Sequence, residues 1–298
     1  MNLTTTDRFD VQIHRDICYA TARIDYNGGA GPMRDRELCL DWYQPVGAHG
    51  PLPALVLAFG GAFHRGSKQS DVRPEEGPKN TAIAEYCEKF AARGYACFSI
   101  DYRLTQEDPH PGHTPTLGPE PVPTSRIDVV RKLLGLSPAT SDMLRNEQEA
   151  AVDDVVSAYR FVAGEAANFN VDAARIAVGG FSAGARVAGV AAMAEAISPA
   201  AVVALSGMPA RSIVDKFHAS GRVRMPFFLS WGEDDLDYVI PGAKSVIEAL
   251  DAVGQACEWC TLPGQTHFYP SSAAVVSSHG EPKDLEHAIE DFLIRHLR

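Results

Sequence analysis

The sequence predicts an α/β protein with a mostly parallel central sheet flanked by helices. Two observations lead there: short apolar runs alternate with helical segments, and several of these runs are continuously apolar, as in strands buried on both faces. Of the 298 residues, 45% are apolar and 22% charged, which is ordinary for a globular protein and too apolar for a disordered one. With no internal repeat, we expect one domain over residues 1–298.

The elements follow one another in regular order. A half-buried strand near a sheet edge is predicted at 37–44, and buried strands at 54–59 and 95–100 enclose a helix at 80–93. A helix at 147–163 has one face of small apolar residues: Ala151, Val155, Ala158 and Val162. The remaining predicted elements are a strand at 175–178, a helix at 183–197, strands at 201–205 and 227–231, a helix at 241–253, a strand at 258–262 and a helix at 284–298.

A proline-rich insertion at 105–145 breaks this order. It holds seven of the 20 prolines, at 109, 111, 115, 119, 121, 123 and 138, and it exceeds the usual length of a connection. Such a segment is either disordered or a lid. Residues 125–134 place Ile127, Val130, Leu133 and Leu134 on one helical face, and an apolar stripe of this kind favours a lid that covers the site.

Charge and cysteine content limit the classes of partner and the cellular location that we expect. The net charge is −11 and there is no Lys/Arg run, which argues against nucleic acid and anionic membranes as partners. No apolar stretch approaches the ~20 residues of a membrane helix, and the first residues do not resemble a secretory signal. The six cysteines are scattered, as in a cytoplasmic protein with reduced thiols. Whether the chain forms a homodimer stays open.

No cofactor or metal is expected. Cys257 and Cys260 have CxxC spacing, but without a second pair they are better interpreted as strand residues. His110 and His113 lie close together in the insertion, but no carboxylate or cysteine framework accompanies them.

The strongest chemical signal is Gly180-Phe-Ser-Ala-Gly184. A strand precedes it and a helix rich in Gly and Ala follows, which is the context of a nucleophile elbow around Ser182. The sharp turn requires a strained backbone with φ > 0 at the serine, and the flanking glycines leave room for neighbouring backbone. The sequence therefore predicts Ser182 as a nucleophile.

A serine nucleophile needs a base that is oriented by a third group. Asp235 and His267 both follow strand ends, at the edge where open α/β sheets build their sites. The order Ser, Asp, His is the one that α/β-hydrolases use. Asp235, three residues after Gly232, is the first choice for the acid, and Asp237 and Asp234 are the alternatives.

Acyl transfer also needs hydrogen-bond donors for an oxyanion. Phe59-Gly-Gly-Ala-Phe63 follows a predicted strand with small residues whose N–H groups can face a ligand. We assign this role to the backbone N–H groups of Gly61, Ala62 and Ala183. Phe63, Phe181 and the helix at 127–134 are candidates for an apolar pocket.

These motifs resemble the α/β-hydrolase fold, and within it the carboxylesterase and hormone-sensitive-lipase-like branch. That branch carries His-Gly-Gly-Gly-Trp/Phe where this chain has 59–63, and Asp-Tyr-Arg-Leu-Ala-Pro-Glu where it has Asp101-Tyr-Arg-Leu-Thr-Gln-Glu107. The run 168–184 is similar to the family's approach to its elbow. The resemblance covers roughly 36–104 and 147–298, and the insertion matches no family pattern.

The chain departs from the family at two positions. Phe59 replaces the oxyanion-loop histidine, so the loop must be held in another way, and Ala62 replaces the third glycine. With Phe181 in its elbow, the chain resembles small-substrate esterases and arylformamidases.

The sequence thus predicts a serine esterase that cleaves a small or medium ester through an acyl-enzyme. The alternatives are an arylformamidase-like amide hydrolase, a lactonase, and a non-catalytic small-molecule receptor on the same fold.

Overall fold

The computed structural model describes residues 8–27, 32–72, 80–112, 116–117 and 122–298. Within these residues, the strands are β1 (Val11–Ile24), β2 (Arg34–Pro45), β3 (Leu52–Ala58), β4 (Ala96–Ile100), β5 (Val171–Phe181), β6 (Ala201–Leu205), β7 (Phe227–Asp234), β8 (Cys257–Thr266) and β9 (Val276–Ser277). The helices are α1 (Ile83–Ala91), α2 (Ser125–Leu133), α3 (Ser141–Gly164), α4 (Ala183–Ala194), α5 (Arg211–Ala219), α6 (Val239–Asp251) and α7 (Leu285–Leu297).

One sheet contains all of these strands, in the order β1-β2-β4-β3-β5-β6-β7-β8-β9. Neighbours from β4 to β8 are parallel, whereas β1 and β2 at one end and β9 at the other pair antiparallel. The carboxyl ends of β5, β7 and β8 therefore lie along one edge. The predicted mostly parallel sheet is confirmed.

Continuous apolar sequence marks the strands at the centre of the sheet. Every residue of β3, β4 and β6 is buried, as expected where helices cover both faces. The predicted apolar face of α3 is buried as well, at Ala151, Val155, Ala158 and Val162. All elements predicted from the sequence are present, with ends shifted by a few residues in most of them.

Three elements were not predicted: β1, α5 and β9. The first has a physical explanation, because a bulge between His14 and Ile17 breaks the alternation that identifies a half-buried strand. At the bulge, Asp16 has a φ of 58°, and its carboxylate contacts the ammonium of Lys68 at 2.6 Å. That ammonium is buried and also contacts Asp41 at 2.9 Å, so it ties the loop after β3 to the edge of the sheet.

The 105–145 segment is described in part. It contains a 3-10 turn at Thr105–Glu107, helix α2 and the start of α3. Ile127 and Val130 are buried, but Leu133 and Leu134 are 61% and 42% exposed. Of the four apolar residues of this stripe, the first two are thus buried and the last two, where α2 ends and the chain turns, are exposed. Prolines 115, 119 and 121, and His113, lie outside the described residues.

None of the helices in the described part of the chain has both the length and the apolar character that a membrane span requires.

Candidate active site

The turn between β5 and α4 places Ser182 at the edge of the sheet. Its φ is 54° and its ψ is −115°, a strained conformation for a residue with a side chain. Close approach of backbone on both sides explains the two glycines: a Cβ on Gly180 would lie 2.2 Å from the carbonyl oxygen of Ala58, and one on Gly184 would lie 2.1 Å from the same oxygen. The predicted sharp elbow is confirmed.

A continuous hydrogen-bonded chain runs from Ser182 to Asp235. The Oγ of Ser182 lies 2.8 Å from Nε2 of His267, whose Nδ1 lies 2.6 Å from Oδ1 of Asp235. A carboxylate only accepts hydrogen bonds, so Nδ1 carries the proton and Nε2 is left to accept from the serine. The side chains of His267 and Asp235 are 5% and 0% exposed, so water does not compete for these bonds.

The structure brings Asp235, rather than its two neighbours, to the histidine. Asp234 ends β7 and is exposed, and Asp237 accepts a hydrogen bond from the Ser125 hydroxyl at 3.1 Å. The three carboxyl groups lie within four residues of one another, and only the path of the turn after β7 separates their surroundings.

Four donors hold the Asp235 carboxylate. Its Oδ1 accepts from the backbone N–H of Leu236 as well as from His267, and its Oδ2 accepts from the Gly232 N–H and the Ser206 hydroxyl. The Ser206 oxygen also lies 2.7 Å from the Tyr269 hydroxyl. This network fixes the carboxylate plane and satisfies a buried charge. The sequence analysis missed Ser206 and Tyr269, since nothing in their local sequence marks them.

The turn after β3 has an unusual backbone. Ala62 and Phe63 have φ values of 52° and 62°, and Gly61 has a φ of 139°. Among the described residues, the N–H groups of Gly61, Ala62 and Ala183 have no hydrogen-bond partner. Ala62 and Ala183 line the same cavity as Ser182, whereas Gly61 is not part of its wall.

The turn is held without the histidine that related enzymes carry at position 59. The Phe59 ring stacks on Tyr102 with centroids 4.3 Å apart, and the Tyr102 hydroxyl donates to the Phe59 carbonyl. The Gly60 N–H donates to the Asp71 carboxylate at 2.9 Å. An aromatic stack and a buried carboxylate therefore hold this end of the turn.

His64 holds the other end and was also missed. An arginine can only donate, so the Arg131 Nη1, 2.8 Å from Nε2 of His64, makes that nitrogen an acceptor. The proton is then on Nδ1, which donates to the Ala62 carbonyl at 2.6 Å. Burial, together with the Arg131 charge, lowers the pKa of His64, which favours this neutral form. Helix α2 is thus bonded to the turn beside Ser182.

A small cavity, partly open to solvent, adjoins Ser182. Phe63 and Ile127, two of the candidates for an apolar pocket, line it. Phe181 lies outside this wall, and its ring packs against the His267 imidazole with centroids 5.2 Å apart. It supports the histidine from behind.

Three comparisons with known proteins bear on what the chain is similar to. A family model described as BD-FAE matches residues 40–115 and 143–217, about half of the chain, with Ser182 inside the match and Asp235 and His267 beyond it. A search of curated protein sequences finds no match.

The solved structures that are similar include several of esterase 2 from Thermogutta terrifontis. Its apo form is 18% identical, with a TM-score of 0.58 over 98% of this chain and 96% of that chain. The form phosphorylated by paraoxon is 18% identical, with a TM-score of 0.59 over 98% and 95%. The butyrate-bound form is 18% identical, with a TM-score of 0.55 over 87% and 90%. At this identity the likeness shows the fold.

Fold and family match together place the chain among the serine carboxylic ester hydrolases of the α/β-hydrolase fold. It belongs to the BD-FAE family, an α/β-hydrolase-type esterase family, which confirms the resemblance seen in the sequence.

Proposed function

We propose that the chain hydrolyses small or medium carboxylic esters through an acyl-enzyme on Ser182. The observation that carries the proposal is the Ser182–His267–Asp235 chain of hydrogen bonds, at 2.8 and 2.6 Å, beside a cavity. Butyrate and propionate bind the Thermogutta esterase, according to the descriptions of its structures, and acyl groups of that size suit this proposal.

In the first half of the reaction, His267 takes the Ser182 proton as the oxygen attacks the acyl carbon. Asp235 holds the imidazole in the required tautomer and stabilises its cation. The proton then passes to the departing alkoxide, and the alcohol leaves. In the second half, His267 takes a proton from water, which attacks the acyl-enzyme, and Ser182 regains its proton as the acid departs.

The oxyanion in both halves needs donors that are fixed in advance. We assign the role of oxyanion donor to the N–H groups of Ala62 and Ala183, and the adjacent Gly61 N–H is a third candidate. Ala183 is the first residue of α4, where N–H groups lack helical partners and the helix dipole favours negative charge.

The test combines turnover with covalent labelling. Wild type should hydrolyse p-nitrophenyl acetate and butyrate, and Ser182→Ala should lower kcat by about 10⁴- to 10⁶-fold. Paraoxon phosphorylates the Thermogutta esterase. We therefore expect it to transfer one diethylphosphoryl group to this chain with release of p-nitrophenolate, as seen by intact mass, and to leave Ser182→Ala unlabelled.

Ser220→Ala is a suitable control, because that hydroxyl lies outside the cavity and bonds only to neighbouring backbone. It should turn over and be labelled like wild type. Labelling that persists in Ser182→Ala, or folded wild type that is neither active nor labelled, would contradict the proposal. The second result would favour a receptor on this fold.

A further inference from the structure

The cavity beside Ser182 has an unusual charge distribution for so acidic a chain. Its described wall contains two charged side chains, Arg126 and Arg186, and no carboxylate. The protein as a whole carries a net charge of −11. The remaining wall is largely apolar, with Phe63, Ile127 and Met208 among its residues. A cationic cavity with apolar walls is complementary to a ligand with one negative charge on a short hydrocarbon body.

Arg186 belongs to α4, the helix that begins directly after Ser182. It lies four residues after Ser182, the N-cap of α4; its backbone N–H donates to the Ser182 carbonyl at 3.0 Å, and both residues line the cavity. Its Nε donates to Oε1 of Gln148 at 2.9 Å, a neutral partner. Within the described residues, its two Nη groups have no hydrogen bond or ion pair. Both Nη groups of the Arg186 guanidinium are thus available to a ligand in the cavity.

No described carboxylate forms an ion pair with this guanidinium. Glu147, the one carboxyl group that acts on it appreciably, is buried, and neither of its oxygens has a hydrogen-bond partner. Burial raises the pKa of Glu147 well above its ordinary value, which disfavours its charged form. Burial also lowers the pKa of Arg186 from its ordinary value, although an arginine stays protonated. Among the described residues, the buried guanidinium of Arg186 therefore has no ion-pair partner.

Leaving such a charge without a counter-ion is costly, and an anion that binds it regains that energy. We propose that Arg186 makes the site selective for esters that carry a carboxylate, bound by the two Nη groups in the cavity while the ester carbonyl faces Ser182. The guanidinium fork matches the two oxygens of a carboxylate. This inference rests on the proposed function. The short distance between the two residues implies a charge only a few bonds from the ester carbonyl.

Two matched substrate pairs test it, each an anion and its neutral amide isostere. In the first pair the charge is on the alcohol side: para-acetoxybenzoate is the anion and para-acetoxybenzamide its neutral partner. In the second pair the charge is on the acyl side: monoethyl glutarate is the anion and its monoamide ethyl ester the neutral partner. The measured quantity is the ratio of kcat/KM within a pair, which does not depend on the fraction of folded enzyme. We expect at least one pair to favour the anion by about 10- to 100-fold in wild type, as charge-assisted hydrogen bonds do.

The variants are Arg186→Gln, Arg186→Lys and the control Arg160→Gln. Arg186→Gln should bring the ratio to within about 3-fold of one, and Arg186→Lys should keep part of it, because the charge stays but the fork is lost. Arg160 lies exposed on α3, outside the cavity wall, so its replacement removes the same charge and should leave the wild-type ratio.

A ratio near one for both pairs in wild type would overturn the inference, and so would a high ratio that survives Arg186→Gln. Either result leaves the proposed function intact as long as p-nitrophenyl acetate is hydrolysed through Ser182. Absence of that hydrolysis would instead refute the proposed function.

Discussion

Replacing His64 by leucine should damage catalysis from outside the reacting groups. The turn beside Ser182 keeps Ala62 and Phe63 in the left-handed region, at φ values of 52° and 62°, which costs about 1–2 kcal/mol for each residue. Against this strain, the His64 Nδ1 donates to the Ala62 carbonyl at 2.6 Å. Such a bond contributes about 0.5–1.5 kcal/mol. Without it, a fraction of molecules should relax the turn and move the Ala62 N–H.

The expected size follows from two losses. Losing one oxyanion donor outright costs about 10²- to 10³-fold in rate, so partial relaxation should lower kcat by about 10- to 100-fold with a smaller change in KM. His64→Leu also removes the acceptor of the buried Arg131 Nη1. Together these losses should reduce the free energy of unfolding by about 2–4 kcal/mol.

The assay is steady-state hydrolysis of p-nitrophenyl butyrate, with urea unfolding of the same preparations. His218→Leu is the matched control, since His218 is a partly buried histidine bonded to Gln255 at 3.0 Å and lies outside the cavity wall. It should lose stability and keep its kcat. Folded His64→Leu with kcat within 2-fold of wild type would refute the view that His64 holds the turn. A 2-fold change corresponds to ~0.4 kcal/mol in the activation free energy, which is too little for a displaced oxyanion donor.

Two further predictions concern backbone and charge. Gly184→Ala should unfold the elbow or abolish activity, because its Cβ would lie 2.1 Å from the Ala58 carbonyl oxygen, whereas Gly164→Ala has open space and should be neutral in thermal melts and assays. Burial and the neighbouring Asp154 charge raise the pKa of Asp153 to about 6, so its ionisation destabilises the fold as pH rises from about 4 through 6. Asp153→Asn should therefore add about 1–2 kcal/mol to the free energy of unfolding at pH 8 and nothing near pH 3.5, as measured by urea unfolding. An equal gain at the two pH values would show that ionisation of Asp153 is not the cause.

Much of the fold could be predicted from local pattern. The central strands are continuous apolar runs, and burial on both faces of a sheet demands such sequence wherever it occurs. Strand β1 was missed because its bulge at Asp16 shifts the alternation by a residue. On α2, helical periodicity identified an apolar face but does not show where the chain turns away, and Leu133 and Leu134 stay exposed.

The candidate site also has a part that could be predicted from local sequence and a part that could not. The positions of Ser182 and His267 could be predicted because each follows a strand that ends at the same sheet edge. The sequence favoured Asp235, three residues after Gly232, but it left Asp237 and Asp234 open because neighbouring turn residues have similar local chemistry. In the structure, Asp235 accepts from His267 and Asp237 from Ser125.

By itself, the sequence determined the order of elements, the elbow and the edge at which the chemistry collects, because these depend on local sterics and on strand direction. The tertiary structure alone decided what surrounds the reacting groups: the support of the turn by His64 and Arg131, the packing of Phe181 against the histidine, and the position of Arg186 in the cavity wall with no ion-pair partner among the described residues. Each of these depends on contacts with side chains distant in sequence or on the absence of a partner in space, and neither leaves a pattern in the linear chain.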